Sequence, residues 1–286
     1  MNNIKGFLKK NAYLGISALL FLSLTAGFFI ADKLRKKEYR IVCLGDSLIG
    51  NVRDDTSIAA VLGEELGVSV YNGAFGGTTA SARNQEERAS ISMDCISLTE
   101  LTDSICYGNF SVPNASINRC SSMDYFPGAV YDFNRVDLNK VEVLIIEHGV
   151  NDYLVGAPLD NAEDPYDVYT FGGSLRYALS TLKEERPDIR ILLCTPTYCW
   201  FLADEVSCEE RRFRGGYLED YVNLELEIAD EFGVAILDNY HESGIGGEFE
   251  NWPDYTEDGL HLNETGRRLI AERIAEAVKR MEETPD

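Results

Sequence analysis

Short, mainly apolar runs alternate with longer amphipathic stretches along most of this 286-residue chain. Runs of four to seven such residues are typical of buried strands, and the stretches between them repeat with the spacing of a helix. Strands are predicted at 41–44, 68–71, 141–147, 189–194 and 234–237, and helices at about 56–66, 170–185, 217–232 and 263–282. Strands that alternate with helices indicate βαβ units, and therefore a mostly parallel sheet covered on both faces.

Two segments interrupt this alternation, and we predict that both are irregular insertions, at about 83–139 and 195–216. Residues 40–282 are expected to form one domain, since no internal repeat or low-complexity linker divides them. Both insertions are rich in aromatic residues, and the second also contains three arginines. These side chains could line a substrate groove, or they could simply pack over the sheet.

The amino-terminal segment 12–31 contains no charged residue over twenty positions. As a helix it would span roughly 30 Å, the thickness of one hydrocarbon core. It lies between a basic segment, 1–11, and a basic juxtamembrane linker, 32–39. We predict a transmembrane helix or signal anchor, with a cleaved signal peptide as the main alternative. The basic start favours a body outside the cytoplasm, although counting Lys and Arg alone favours the opposite orientation.

The net charge of −22 is unevenly distributed. Residues 1–40 carry eight basic and two acidic side chains, a net charge of +6, which leaves −28 for the rest of the chain. A body this acidic argues against nucleic acid as a partner.

The seven cysteines follow no recognisable zinc spacing. Cys43 and Cys194 lie in predicted strands, where buried thiols are expected. The remaining five could form disulfides in an exported protein: Cys95, Cys106, Cys120, Cys199 and Cys208.

Two motifs suggest a nucleophile and its base. The first predicted strand ends in Gly45-Asp46-Ser47-Leu48, which places a serine at the carboxyl edge of the sheet, where open α/β folds build their sites. Asp258 and His261 lie in one short loop, where the carboxylate can orient the imidazole toward a serine. The other two histidines, His148 and His241, are interpreted as a strand-end residue and a rim residue, and only His261 is expected to have a suitably spaced carboxylate.

Two further motifs can supply donors to a developing oxyanion. A glycine-rich turn, Asn72 to Thr79, follows the second strand, and its backbone N–H groups are free to approach a ligand. Asn151 follows the third strand and carries a side-chain donor. Taken alone, the first is also compatible with an ordinary turn and the second with a capping residue.

These four motifs, in this order, resemble those of the SGNH (GDSL-like) hydrolase superfamily over about residues 40–282. The resemblance implies a flavodoxin-like three-layer α/β/α domain with five strands in the order 2-1-3-4-5. It implies no metal and no other cofactor. Ser47 matches the nucleophile, Asp258 and His261 complete a triad, and Ser47, Gly77 and Asn151 form the oxyanion hole. Gly76 is a second candidate for the glycine of the oxyanion hole. The family pattern N-x-x-x-x-G-x-T, which runs here from Asn72 to Thr79, favours Gly77.

The expected function is therefore a serine esterase acting on a carboxylic ester, such as an acetyl ester, of a small molecule or glycan. An acyltransferase on cell-surface glycans would use the same residues. A catalytically inactive binding module on the same fold is the third hypothesis. Trp200 and Asp46 are expected to line the substrate groove, and the membrane is expected to be contacted only through the amino-terminal helix.

Overall fold

A five-stranded parallel sheet forms the centre of the fold. The computed structural model describes residues 36–83, 96–117 and 124–283. Across those ranges, no helix is both long enough and apolar enough to cross a membrane. The predicted membrane helix at 12–31 lies outside the described residues. Everything described from Glu38 onward belongs to one compact unit.

The sheet follows the predicted strand order. It contains the strands β1 (Ile41–Gly45), β2 (Val70–Asn72), β3 (Val143–Glu147), β4 (Arg190–Cys194) and β7 (Ala235–Leu237), in the order β2-β1-β3-β4-β7. All four pairings are parallel. The strands β5 and β6, described below, form a separate hairpin. When the five strands of the main sheet are numbered in chain order, their arrangement is the expected 2-1-3-4-5. The carboxyl ends of β1 and β3 meet because Gly45 lies opposite Glu147 in the register.

The helices cover this sheet on both faces, since every residue of β1 and β3 is buried. The α-helices are α1 (Ser47–Gly50), α2 (Ile58–Leu66), α3 (Leu98–Tyr107), α4 (Ser111–Ser116), α5 (Phe126–Phe133), α6 (Val150–Val155), α7 (Phe171–Glu185), α8 (Leu218–Phe232), α9 (Asn239–Glu242), α10 (Trp252–Tyr255) and α11 (Glu264–Glu283). Helix α2 packs against α11, whereas α7 packs against α3 and α8.

The first insertion is not irregular where it is described, because it contains α3, α4 and α5. Helix α3 buries Leu98, Leu101 and Ile105, and a capping box between Ser97 and Glu100 fixes its start. Threonine and serine fill most positions between its apolar residues, which obscures the helical pattern in the sequence. The second insertion likewise contains a short antiparallel hairpin, β5 (Trp200–Phe201) and β6 (Val206–Ser207).

A buried arginine joins the two ends of the domain. Arg267, on α11, donates to the carbonyl of Leu262 at 2.7 Å and to the carbonyl of Thr56 at 3.1 Å. Thr56 follows the nucleophile motif and Leu262 follows His261. The guanidinium therefore fixes the carboxyl-terminal loop against the amino-terminal part of the fold.

We predict that His241 stabilises the fold only while it is protonated. Partial burial lowers its pKa, but hydrogen bonds with Asp238 and Glu219 raise it by more, to a net value above the ordinary 6.5. A raised histidine pKa contributes stability below the ordinary value, and the contribution disappears as the pH rises through the folded value. His241→Gln should therefore lower Tm at a pH near 5 and leave it almost unchanged near 9.

Glu219→Gln removes one of the two carboxylates and should show a smaller change with the same pH dependence. A Tm difference for His241→Gln that stays constant across this pH range would contradict the prediction.

Candidate active site

Ser47 lies in the turn that follows β1, and this turn leaves no room for a side chain at Gly45, the last residue of the strand. A Cβ at Gly45 would lie 2.7 Å from the carbonyl oxygen of Glu147. Asp46 then caps α1, accepting a hydrogen bond from the Leu48 N–H at 2.9 Å. The turn places Ser47 at the start of α1 with only 8% of its surface exposed.

The structure brings the predicted nucleophile, base and carboxylate together. The Nε2 of His261 lies 3.1 Å from the Oγ of Ser47. On the other side of the ring, Nδ1 lies 2.7 Å from Oδ2 of Asp258, whose Oδ1 accepts the His261 backbone N–H at 2.8 Å. A hydrogen bond from Nδ1–H to Asp258 leaves Nε2 as the acceptor for the serine hydroxyl, which is the arrangement that general-base activation needs.

The loop that carries this pair is tightly held. Gly259, between Asp258 and His261, has a φ of +86°, and a Cβ there would lie 2.5 Å from the carbonyl oxygen of Trp200. Burial raises the pKa of Asp258, but hydrogen bonds from the side chain and backbone of His261 lower it by more. Asp258 is thus held as an anion, the form that stabilises an imidazolium.

The glycine-rich turn lies beside the serine, and the structure distinguishes between its two candidate donors. The Gly76 N–H donates to the hydroxyl of Tyr125 at 2.9 Å, so it is already engaged. Within the described part of the chain, no hydrogen bond uses the Gly77 N–H. Gly77 also has a φ of +76°, a conformation that favours glycine. These observations favour Gly77 as the donor.

Asn72, the first residue of the glycine-rich turn, donates from its side-chain amide to the carbonyl of Ile49 at 2.9 Å. Residue Ile49 lies in α1, so this hydrogen bond ties the glycine-rich turn to the nucleophile helix. Sequence reasoning missed Arg53, which donates to the carbonyls of Asn72 and Ala74 and stacks 4.3 Å from the Tyr125 ring.

Asn151 lies at the start of α6 and reaches the same turn. Its Nδ2 donates to the carbonyl of Thr78 at 2.9 Å, which fixes the amide plane and leaves its second N–H for a ligand. The adjacent Asp152, which sequence reasoning missed, is fully buried and accepts the N–H groups of Ala80 and Ser81 at 2.8 and 2.9 Å. Asp152 therefore clamps α6 to the two residues that directly follow the glycine-rich turn.

The structure buries both of the predicted groove residues. Asp46 is fully buried, and its carboxylate caps α1. Trp200 is 2% exposed, packs edge-on against Tyr198 and donates its indole N–H to the carbonyl of Gly247 at 3.3 Å. Trp200 and its hairpin nevertheless border a cavity of about 270 Å³. This cavity is lined by apolar side chains and two aspartates: Leu154, Cys199, Trp200, Phe201, Leu202, Ala203, Asp204, Asp258 and Leu260.

A group of buried carboxyls lies beneath the serine. Burial raises the pKa of Asp46 to about 7 and, together with the nearby Asp46, raises the pKa of Glu147 well above its ordinary range. Glu225, on α8, is buried with its pKa similarly raised. As carboxylates, Asp46 Oδ2 and both Glu147 oxygens would lack a donor. A proton held on Glu147 would supply a donor to Asp46 Oδ2, so sharing one proton lowers the cost of burying the pair.

The other histidines differ from His261 in their surroundings. Burial lowers the pKa of His148 to about 3, so this ring is neutral and belongs to the interior. The prediction that only His261 has a suitable carboxylate is wrong, because Asp238 precedes His241 by the same spacing and accepts its Nδ1–H at 2.8 Å. The Nε2 of His241, however, faces Glu219 at 3.2 Å instead of a serine. No group of three or more metal-ligating side chains occurs among the residues described.

Comparison with known proteins adds a family match and a fold. The family model described as "GDSL-like Lipase/Acylhydrolase family" matches residues 107–269. The match includes Asn151, Asp258 and His261 and begins after Ser47 and Gly77. No curated protein matches this chain.

Several solved structures share the fold at low sequence identity. A possible lipase from Chitinophaga pinensis is 18% identical, with a TM-score of 0.55, over 86% of this chain and 100% of the other. An aryl esterase from M. smegmatis is 15% identical, with a TM-score of 0.50, over 85% and 99%. A carbohydrate acetylesterase from Sinorhizobium meliloti is 15% identical, with a TM-score of 0.50, over 84% and 98%. Likeness at these identities extends to the fold alone.

We predict that Glu147→Gln stabilises the protein at neutral and alkaline pH. An acid whose pKa is raised by folding reduces stability as the pH rises above its unfolded value, about 4.5, because the unfolded chain ionises first. Glutamine keeps a donor for Asp46 and cannot ionise. The Tm advantage of the variant should be small near pH 4.5 and grow toward pH 8.

The exposed Glu65→Gln is the matched control, with no such pH-dependent gain expected. A Glu147→Gln variant that is less stable than the wild type at every pH would contradict the shared proton.

We also predict that Tyr125→Phe lowers kcat by about 3- to 10-fold, the worth of one hydrogen bond. Removing the hydroxyl frees the Gly76 N–H and loosens the turn that carries Gly77, while the ring still stacks on Arg53. Steady-state kinetics on an ester substrate should show the loss in kcat with little change in KM. The matched control is Tyr131→Phe, at a tyrosine that is 45% exposed. A change confined to KM would contradict the interpretation that the Tyr125 hydroxyl positions the turn that carries Gly77.

Proposed function

We propose that this chain, which belongs to the GDSL-like lipase/acylhydrolase family, hydrolyses a carboxylic ester by acyl transfer to Ser47. The family model matches more than half of the 286 residues, and the protein is an ester hydrolase of this type. The observation that carries the finer proposal is the continuous hydrogen-bonded chain from Ser47 through His261 to Asp258.

The proposed first step is attack of the Ser47 oxygen on the ester carbonyl. His261 Nε2 lies 3.1 Å from this oxygen and takes its proton as the new C–O bond forms. Asp258, 2.7 Å from Nδ1, keeps the correct tautomer and stabilises the imidazolium. His261 then protonates the leaving alcohol, and an acyl-enzyme remains on Ser47.

The negative charge of the tetrahedral intermediate is proposed to be stabilised by the Ser47 and Gly77 N–H groups and the second N–H of Asn151. These donors are held in advance: Thr78 fixes the Asn151 amide and Asp152 clamps the two residues after the turn to α6. Donors that need no rearrangement stabilise the transition state more than the ground state. Water, activated by His261, then attacks the acyl-enzyme and releases the acid.

We propose a compact acyl group, such as acetyl, on a small alcohol or glycan. Ser47 is only 8% exposed, which supports a small acyl group. One structural neighbour is a carbohydrate acetylesterase and another is an aryl esterase. Acyl transfer to a sugar hydroxyl would use the same acyl-enzyme. Hydrolysis and acyl transfer therefore differ only in whether water or the sugar hydroxyl attacks that acyl-enzyme.

The proposed activity is tested by assaying the full-length chain with aryl acetate and longer aryl esters, with and without a sugar acceptor. Release of free acetate by the wild type, abolished in Ser47→Ala, is the expected result. Acetylated sugar as the main product would assign the chain to acyl transfer. Equal turnover by Ser47→Ala would refute the proposed nucleophile.

We propose further that the protein is anchored by residues 12–31, with the catalytic domain outside the cytoplasm. The support is the charge-free stretch between two basic segments. Protease added to intact cells should digest the domain, whereas protection until the cells are lysed would place it in the cytoplasm.

We predict that Asn151→Ala lowers kcat by about 10²–10³, the typical loss for one oxyanion donor. Among the described residues the side chain makes a single hydrogen bond, to the Thr78 carbonyl, so the fold should persist, which an unchanged thermal transition would verify. KM should change little, because the donor acts on charge that develops after binding. The exposed Asn139→Ala serves as control. An unaltered kcat in Asn151→Ala would remove this residue from the mechanism.

A further inference from the structure

Two of the seven cysteines face each other across the hairpin β5–β6. The register pairs Trp200 with Ser207 and Phe201 with Val206, so one step further it brings Cys199 opposite Cys208. The Cys208 N–H donates to the carbonyl of Cys199 at 2.9 Å. Opposed residues in such a pair have Cα atoms about 5.5 Å apart, within the range that a disulfide bridges.

The two side chains are buried together. Cys199 is 2% exposed and Cys208 is fully buried. A hydrogen bond between the two thiols, together with burial, raises the pKa of Cys199 well above its ordinary range. Burial raises the pKa of Cys208, but hydrogen bonds with Cys199 and Tyr240 lower it by more, to a net value below the ordinary one. The lowered pKa of Cys208 makes it the better nucleophile of the two thiols.

The other described cysteines have no such partner. Cys43 lies in β1 and Cys194 in β4, with β3 between them, so their backbones are about 10 Å apart. Cys106 lies on α3, where its sulfur is 4.0 Å from the carbonyl of Thr181. Cys95 and Cys120 lie outside the described residues.

We propose that Cys199 and Cys208 form a disulfide when the chain meets a disulfide oxidant. When the hairpin opens to admit the oxidant, the Cys208 thiolate attacks one sulfur of the oxidant, forming a mixed disulfide and releasing one thiol. Cys199 then loses its proton and attacks the Cys208 sulfur, which releases the second thiol. Two electrons and two protons pass to the oxidant, and the chain gains one S–S bond.

This cross-link would brace the segment that supports the His261 loop. The Trp200 N–H donates to the carbonyl of Gly259 at 2.7 Å, and Gly259 lies between Asp258 and His261. A disulfide one residue before Trp200 restricts the hairpin from separating, and with it the contact to Gly259. The existence of the cross-link does not depend on the proposed function, because it concerns only the hairpin.

The test uses the full-length chain, reduced and then incubated with oxidised glutathione, a small-molecule disulfide. Free thiols are alkylated, and the chain is digested without reductant by trypsin and a protease that cuts after glutamate. Cleavage after Glu205 separates Cys199 from Cys208, so their peptides stay together only if a disulfide joins them. We expect a linked pair that is lost in Cys199→Ser and in Cys208→Ser.

Cys194 shares the Cys199 peptide after digestion, so the Cys194→Ser variant is the matched control and should keep the linked pair. Alkylation of both hairpin cysteines, glutathione retained on Cys208, or loss of the link in Cys194→Ser would each overturn the proposal. Because the readout is a peptide mass, its failure leaves the esterase proposal unaffected, and loss of esterase activity leaves this result unaffected.

Thermal denaturation provides a second measurement. Oxidation should raise the Tm of the wild type by about 5 °C and leave that of Cys199→Ser unchanged. An equal shift in both proteins would show that the stabilisation comes from elsewhere and would overturn the proposed role of the cross-link.

Discussion

The hydrogen bond between Ser47 and His261 joins residues that are 214 positions apart in the chain. The rest of the site depends on holding these two side chains within hydrogen-bond distance. The parallel sheet positions Ser47, because it fixes the end of β1 beside the end of β3. Arg267 and the Trp200–Gly259 hydrogen bond position His261, because both hold the loop that carries it.

The site also carries a stability cost. Asp46, Glu147 and Glu225 are buried close together, and burial raises the pKa of each. A proton shared between Asp46 and Glu147 lowers the cost of burying these two carboxyls, so the charge beneath Ser47 depends on pH. Asp46 in turn caps α1, and α1 begins with Ser47. Asp46, a buried acid outside the Ser47–His261–Asp258 chain, therefore helps to position Ser47.

Much of the fold and site follows from local signals in the sequence. Apolar runs that end in tight turns predict all five strands of the sheet, and the four motifs predict which side chains meet at its edge. Contacts between distant segments could not be predicted, because no local pattern encodes them. Tyr125 reaches Gly76 from the first insertion, where threonine and serine obscure the pattern of helix α3. The Glu147–Asp46 pair requires the β1–β3 register.

The second Asp–His pair shows the limit of motifs. Asp238 and His241 have the same spacing and local hydrogen bonds as Asp258 and His261, yet only the latter pair faces a serine. The burial of a single side chain could not be predicted from the sequence either. Trp200 holds the His261 loop through its backbone N–H, while its ring lies inside the protein.

The most direct test of an activated serine at this site is labelling of the full-length chain with a fluorophosphonate probe. The probe reacts with a nucleophilic serine whatever the natural substrate is. One label per wild-type chain, absent from Ser47→Ala and from His261→Ala, is the predicted result. Labelling that persists in His261→Ala, or its absence in a folded wild type, would contradict the account of Ser47 as a nucleophile activated by His261.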